Sequence, residues 1–242
     1  MMKIYVVGLG PGNFSQITPA AQEALKAADV VVGYTTYINL IQDLLGDKEV
    51  VATGMRSEIE RCEQAVELAK QGKQVAVVSS GDAGIYGMAT LLYELLAEET
   101  EIDLEVIPGI TAANAAAAVL GAPLANDFAV ISLSDLMTPW EVIEKRLEGA
   151  AQADFVICLY NPMSKTRRDY LAKACEIALK YKSADTICGV VRNALRPGQS
   201  DQIMSLAELK DSEVDMFTMV IIGNAATHLM KGRMVTKRGY QV

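Results

Sequence analysis

Gln74-Val75-Ala76-Val77-Val78-Ser79-Ser80-Gly81-Asp82-Ala83-Gly84-Ile85-Tyr86-Gly87 is the stretch on which the fold turns. Its first six residues read as a short apolar strand. Its remainder, three glycines among serines and one acid, reads as a loop placed before a helix. A strand of that kind belongs to a largely parallel sheet with helices on both faces, and in such sheets ligands bind beyond the carboxyl ends of the strands. The loop offers backbone amides and hydroxyls there, and Asp82 offers one carboxylate. Two readings of Asp82 stand side by side: contact with a ligand, or a cap on the next helix.

The same strand-then-helix pattern extends in both directions. Upstream, Ile4 to Val7 is a buried strand ending at Gly8, and Thr18-Pro19 opens a helix that runs to about Ala28. Asp29 to Val32 is a second strand, and Ser57-Glu58-Ile59-Glu60 has the spacing of a capping box for a helix that stops at Gly72. Downstream, Leu104 to Ile107 is a further strand. The alanine-rich run from Ile107 to Ala125 reads as a buried helix, too weakly apolar and too often interrupted to span a bilayer. Phe128 to Ser132, Asp154 to Leu159, Thr186 to Val191 and Thr218 to Ile222 read as strands of a second half. Helices are expected over about Pro139 to Leu147 and Arg167 to Tyr181, and a loop over Asn193 to Ser200. The junction falls near Gly109 to Ala125, so the expected α/β domains are 1–113 and 114–242.

Composition narrows the class. The 242 residues are 51% hydrophobic and 21% charged, ordinary values for a globular protein. A net charge of −8 argues against nucleic acid as a partner. Cys62, Cys158, Cys175 and Cys188 never approach C-x-x-C spacing and His228 is the single histidine, so no metal site is expected. Unpatterned thiols suit a reducing compartment, and the opening residues read as strand and glycine loop rather than signal peptide; the expected location is cytoplasmic, with no membrane partner.

Several ligand classes can be set aside. Gly8-Leu9-Gly10-Pro11-Gly12 follows the first strand, yet its G-x-G-x-G spacing is interrupted by Pro11. The second strand ends in Gly33-Tyr34, without the acid that would hold a dinucleotide ribose. No G-K-[ST] sequence exists for a P-loop, and no G-x-S-x-G elbow exists for a hydrolase.

Taken together, the two glycine loops and Pro108-Gly109-Ile110-Thr111-Ala112 resemble the tetrapyrrole (corrin/porphyrin) methylase family. Val32-Gly33-Tyr34, Gly54-Met55-Arg56, Ile131-Ser132-Leu133-Ser134-Asp135, Thr138-Pro139-Trp140-Glu141, Tyr160-Asn161-Pro162 and Ile222-Gly223-Asn224 resemble its branch that methylates C-17 in cobalamin biosynthesis. The resemblance implies two α/β domains, an N-terminal one with a largely parallel sheet and a C-terminal one with a mixed sheet, a ligand cleft between them, and a homodimer. It implies S-adenosyl-L-methionine as co-substrate, held by Pro11, Gly81, Asp82, Ile85, Thr111, Ala112, Tyr160, Asn193, Gly223, Asn224 and Ala225. It also implies methylation of a corrin-precursor macrocycle coupled to ring contraction. The methyl step mainly requires alignment, since the sulfonium is already activated; the contraction requires proton transfer or oxygen activation, for which Asp82, Ser132, Asp135, Tyr160 and Asn161 are the polar candidates. Asp135 equally reads as the start of a helix at Met137. A macrocycle bearing many carboxylates calls for local basic groups, and Arg56, Lys165, Arg167 and Arg168, with Gly10, form the expected substrate set. Arg61, which with Arg56 flanks the capping-box helix, and Arg192 and Arg196, which bracket another loop, are further basic groups that could meet such carboxylates, though Arg61 reads rather as part of a solvated helix face. The alternatives are a methylase of the same family acting at another ring position or on a non-tetrapyrrole acceptor, and a nucleotide-binding module without chemistry.

Overall fold

β-Branched runs build the sheet of the first of two units, Met1–Ala112, in this computed structural model, which describes residues 2–11, 13–55, 57–164 and 168–241. The order is β1 (Met2–Gly8), α1 (Pro19–Ala27), β2 (Val30–Tyr34), α2 (Thr35–Leu40), α3 (Gln42–Leu45), β3 (Glu49–Thr53), α4 (Glu58–Lys70), β4 (Val75–Ser79), α5 (Ala89–Leu95) and β5 (Ile102–Ile107). The strands pair in the order β3-β2-β4-β1-β5, every neighbour parallel. Alternation divides each strand between two layers. Val30, Val32, Val75 and Val77 meet Cys62, Ala65, Ala69 and Leu92 of α4 and α5, while Val31, Ala76 and Val78 meet Ala21, Leu25 and Ile38 on the other face. Register carries one row across the carboxyl edge: Thr53 lies beside Tyr34, and Ser79 beside Gly8.

Helix starts follow local chemistry, with one correction. Thr18 Oγ1 accepts from Ala21 N at 3.2 Å and Pro19 takes the first helical position, as the sequence indicates. Ser57, however, makes no side-chain cap bond to α4. Its backbone (φ −113°, ψ 37°) is outside the extended region from which a serine hydroxyl reaches the first-turn amides. The capping box that does form is Ser205 with Glu208, where Ser205 is extended (φ −77°, ψ 161°) and both reciprocal bonds are made.

The second unit, Ala113–Val242, takes in nearly all of α6 (Ala112–Leu120). It continues through β6 (Gly121–Ala122), β7 (Phe128–Ser132), α7 (Trp140–Gln152), β8 (Val156–Tyr160), α8 (Tyr170–Ala178), β9 (Ile187–Arg192), β10 (Ser200–Ser205), α9 (Leu206–Leu209), β11 (Thr218–Ile222), β12 (Thr227–Met230) and β13 (Arg233–Thr236). The main sheet runs β10-β9-β11-β8-β7; β7 and β8 are parallel and the other pairs antiparallel. Helices α7 and α8 bury Ile143, Leu147, Leu171 and Cys175 against Ile157, Leu159, Val220 and Ile222. The alanine helix ends sooner than the composition suggests, at Gly121, whose φ of +136° breaks the helical path. β12, β13 and β6 form a small separate sheet. Among the described residues no helix is long and apolar enough to cross a membrane.

Candidate functional site

Three backbone loops interlock at the carboxyl edge of the parallel sheet. Gly10 and Gly81 exchange amide–carbonyl bonds of 2.9 and 2.7 Å, and Leu9 N donates to Ser79 O at 2.9 Å. Gly109 lies so close to both strands' ends that a Cβ on it would stand 2.2 Å from Gly81 O and 2.6 Å from Gly8 C. No side chain fits there, which explains a glycine at that position in physical terms. Gly81, at φ +71°, faces Thr111 and Ala112 at ordinary contact distance, with Ala112 N 3.7 Å from the point where a Cβ would be. Gly81, Thr111 and Ala112 therefore present a surface made of backbone, neutral in charge, suited to a ligand held by amides and carbonyls. Gly10 and Pro11 are buried beside it.

Asp82 is the clasp of this assembly. Its Oδ1 accepts from Gly84 N at 2.8 Å and Ile85 N at 3.1 Å, and its Oδ2 accepts from Gly109 N at 3.0 Å. The next helix begins at Ala89 with Met88 as its cap residue, so Asp82 does not cap it. Too many residues intervene, and the loop closes instead through Ala89 N donating to Ala83 O. The carboxylate shapes the Gly81–Ile85 turn and ties it to the Pro108-Gly109 loop.

In the second unit, parallel pairing of β7 with β8 sets Ser132 beside Tyr160. Ser132 Oγ accepts from Asn161 Nδ2 at 2.9 Å and from Ser134 N at 3.2 Å, which occupies both lone pairs and leaves its proton to donate. Asn161 holds φ +52°, a left-handed conformation that asparagine tolerates and that turns its amide back onto Ser132. Tyr160 Oη accepts from Ala113 N at 3.1 Å in the first turn of α6. Asp135 is not a helix start, since α7 begins at Trp140; its Oδ2 accepts from Tyr170 Oη at 2.6 Å, and the Tyr170 ring packs on Trp140 at 4.5 Å between centroids. Asn193, at φ +50°, opens the turn from β9 to β10 and belongs to the same end of the sheet, because Arg192 pairs with Thr218 and Val220 pairs with Leu159.

Gly223, Asn224 and Ala225 lie elsewhere. β11 runs antiparallel to β8, so Ile222 sits opposite Ile157 and the loop after it falls at the amino end of β8. Tyr160 and Gly223 are thus about four residues apart along the strand direction, about 13 Å. The structure does not bring these three residues together with Tyr160 and Asn193. Their partners are structural: Asp154 Oδ2 accepts from Ala225 N at 3.1 Å, Asp154 O accepts from Asn224 Nδ2 at 3.1 Å, and Asp154 Oδ1 pairs at 2.8 Å with Lys182, whose side chain is 2% exposed.

The expected basic groups divide. Arg56, Lys165 and Arg167 lie outside the described residues, and Arg168 is exposed. Arg192 is committed to Asp215 at 2.7 Å. Arg61, expected on a solvated face, is buried at 4% exposure, because α4 turns that side inward toward β3.

The sequence model of the tetrapyrrole (corrin/porphyrin) methylases matches residues 3–210. The chain belongs to that family. Among curated relatives of this tetrapyrrole methylase, a probable cobalt-factor III C(17)-methyltransferase of Salmonella typhimurium is 51% identical, over 97% of this chain and 98% of the relative. The cobalt-factor III methyltransferase of Priestia megaterium is 49% identical over 99% of this chain, which spans only 45% of that longer protein. Among solved structures, the methyltransferase CobJ superposes with a TM-score of 0.90 at 36% identity, covering 98% of this chain and all of the other. In this methylase the four cysteines are buried and unpaired, and burial pushes their thiols up, to about 11 for Cys62 and about 12 for Cys158, Cys175 and Cys188. None has the thiolate character a nucleophile needs. Two features escaped the sequence reading: Tyr170, which joins Asp135 to the Trp140 of the Thr138-Pro139-Trp140-Glu141 motif, and the burial of Arg61.

Proposed function

We propose that this methylase transfers the methyl group of S-adenosylmethionine to C-17 of a corrin precursor and couples the transfer to ring contraction, converting precorrin-3B to precorrin-4 or its cobalt-containing equivalent. The observation that carries the reading is the neutral, backbone-made surface of Gly81, Thr111 and Ala112, clasped by Asp82. A donor that is cationic at sulfur and zwitterionic at its amino-acid end needs amides and carbonyls more than fixed charges. Membership of a methylase family and the C-17 relatives supply the reaction class.

In the transfer the bond from sulfur to the methyl carbon breaks as the bond from methyl to ring carbon forms, and the sulfonium becomes a neutral thioether. The protein's share is alignment. Gly81, Ile85, Thr111 and Ala112, with Pro11, hold the donor, and Tyr160 and Asn193 are assigned to the same task from the second unit. Gly223, Asn224 and Ala225 are assigned to supporting their own loop. Ser132, whose proton is free to donate, and Asn161, which fixes it, are the pair assigned to an oxygen of the macrocycle. Gly10, Arg56, Lys165, Arg167 and Arg168 are assigned to its rim. The enzyme acts in the cytoplasm as a homodimer in this reading.

Incubating the purified protein with donor and either the metal-free or the cobalt-containing macrocycle, then weighing the products, tests the proposal. Gain of one methyl group at C-17 with a contracted ring is expected. Methylation at another carbon, or none with either macrocycle, would refute it.

A further inference from the structure

Arg61 is a buried cation with no ion-pair partner among the described residues. Its guanidinium is 4% exposed as a residue and faces neutral partners only: Nε donates to Thr53 Oγ1 at 2.8 Å, Nη2 to Gly54 O at 3.0 Å, and Nη1 reaches the Met88 thioether at 3.7 Å. Among the described residues no carboxylate forms an ion pair with it. A guanidinium carries five N–H donors, and here two oxygens and a weak sulfur acceptor serve them. Burying such a charge is costly unless an anion and further hydrogen bonds compensate it. The other buried residues of α4, Cys62, Ala65, Val66 and Ala69, are apolar, so Arg61 is the one charged residue that this helix buries.

Its location is as informative as its charge. Thr53 ends β3, the outer strand of the parallel sheet, and stands in the cross-strand row that continues through Tyr34 toward Ser79 and Gly8. Ser79 shares the face of Val75 and Val77, and its Oγ is buried without a hydrogen-bond partner. The row therefore holds one unpartnered polar group, Ser79 Oγ, and anchors the Arg61 guanidinium through Thr53, at the edge where parallel sheets bind ligands. The chain next to Arg61's carbonyl partner is open: Gly54 has nothing within 4 Å of the place a Cβ would take, and Met55 after it is 52% exposed.

We propose that Arg61 is a carboxylate-binding residue for the acceptor, taking one acidic side chain of the macrocycle rim in its planar fork; this rests on the functional reading above. A carboxylate laid against Gly54 and Met55 supplies the missing charge and replaces the Met88 thioether, the weakest of the three partners. The acceptor is favoured over the donor's own carboxylate by position. β3 is separated from β4 by β2, so Arg61's anchor Thr53 is about 10 Å from the strand that carries the glycine loop.

The test compares the free-acid macrocycle with its peripheral methyl ester. Affinity for each, and for S-adenosylhomocysteine, is measured on the wild type, Arg61→Met and Arg61→Lys, with melting temperature recorded throughout. The wild type should prefer the free acid, and both variants should lose about tenfold to a hundredfold of free-acid affinity, the worth of one charge-assisted bond. Ester and S-adenosylhomocysteine affinities should be unchanged. Lysine keeps the buried charge without the fork, so it carries the test if the methionine variant fails to fold. An acid-to-ester preference equal in wild type and variants would overturn the assignment alone. A loss falling on S-adenosylhomocysteine would overturn it in favour of the donor carboxylate. A wild type that binds S-adenosylhomocysteine but neither form of the macrocycle would overturn the functional reading and this assignment with it.

Discussion

Replacing Asp82 by asparagine changes one atom and should still unfasten the glycine loops. The carboxylate accepts three backbone amides, two at Oδ1 and one at Oδ2. An asparagine amide has one acceptor oxygen. In one orientation its NH2 confronts Gly109 N–H; in the other it confronts Gly84 and Ile85. Either way a charge-assisted bond is replaced by opposed donors, at a cost of about 1.5–3 kcal/mol. For a chain of this size that lowers the melting temperature by about 3–12 °C, nearer the lower end because the loop is partly open to water. Alanine removes all three bonds and should cost about 3–5 kcal/mol. Affinity for S-adenosylhomocysteine should fall in the same order, since the Gly81–Ile85 amides lose their register as the clasp opens. Thermal melts with and without S-adenosylhomocysteine, run on all three proteins, provide both readouts. An asparagine variant that melts within about 1 °C of wild type would refute the reasoning, because a shift that small lies well below the worth of one charge-assisted bond.

Further outcomes follow from other parts of the molecule. Asp154→Ala should destabilise by about 3–5 kcal/mol because it leaves the buried Lys182 ammonium uncompensated, whereas Lys182→Met should cost far less, since Asp154 is half open to water; urea denaturation orders the two. Partial burial pulls the Asp215 carboxyl upward, but bonds from Arg192, Thr218 and Phe217 N outweigh it and hold the group below its ordinary value. A depressed folded pKa stabilises the native state above the unfolded value of about 3.9 and loses that contribution as pH falls through the folded value. Acid unfolding of Asp215→Asn should therefore be less steep below about pH 4 than that of wild type, and superimposable curves would count against the pair. The four buried thiols should resist a disulfide reagent at mildly alkaline pH and react only on denaturation, because burial raises them to about 11 or 12; fast labelling of the folded protein would contradict that.

Much of the parallel sheet was legible because its strands obey one rule. Val30 to Val32 and Val75 to Val78 are buried on both faces, so apolar continuity alone marks them. The outer strand β3 broke that rule: Glu49-Val50-Val51-Ala52-Thr53 is half open to water and carries a charge, and it looks like connection rather than strand. β10 escaped for the same reason, since Ser200-Asp201-Gln202 is exposed at the other sheet's edge. The Ser57 capping box had the right spacing and the wrong backbone. The pattern S-x-x-E states which groups are available, but the cap also needs an extended residue, which only the chain's path decides.

The site was legible as a set of loops and not as a place. In the first unit every strand is parallel, so strand ends that bear glycines all fall on one edge, and Gly10, Gly81 and Gly109 can be grouped from order alone. The second unit denies that shortcut. β11 reverses against β8 and β9, so a loop that follows a strand in sequence can lie at either edge of the sheet. Gly223-Asn224-Ala225 follows β11 just as Asn161 follows β8, yet the reversal places them a strand length apart and ties the first group to the Asp154–Lys182 pair. Residues after strands can be pooled into one site only where the sheet is parallel. For this chain the sheet is parallel at the loops around Asp82 and antiparallel at the strand before Asn224, and only strand direction, which hydropathy does not encode, separates the two cases.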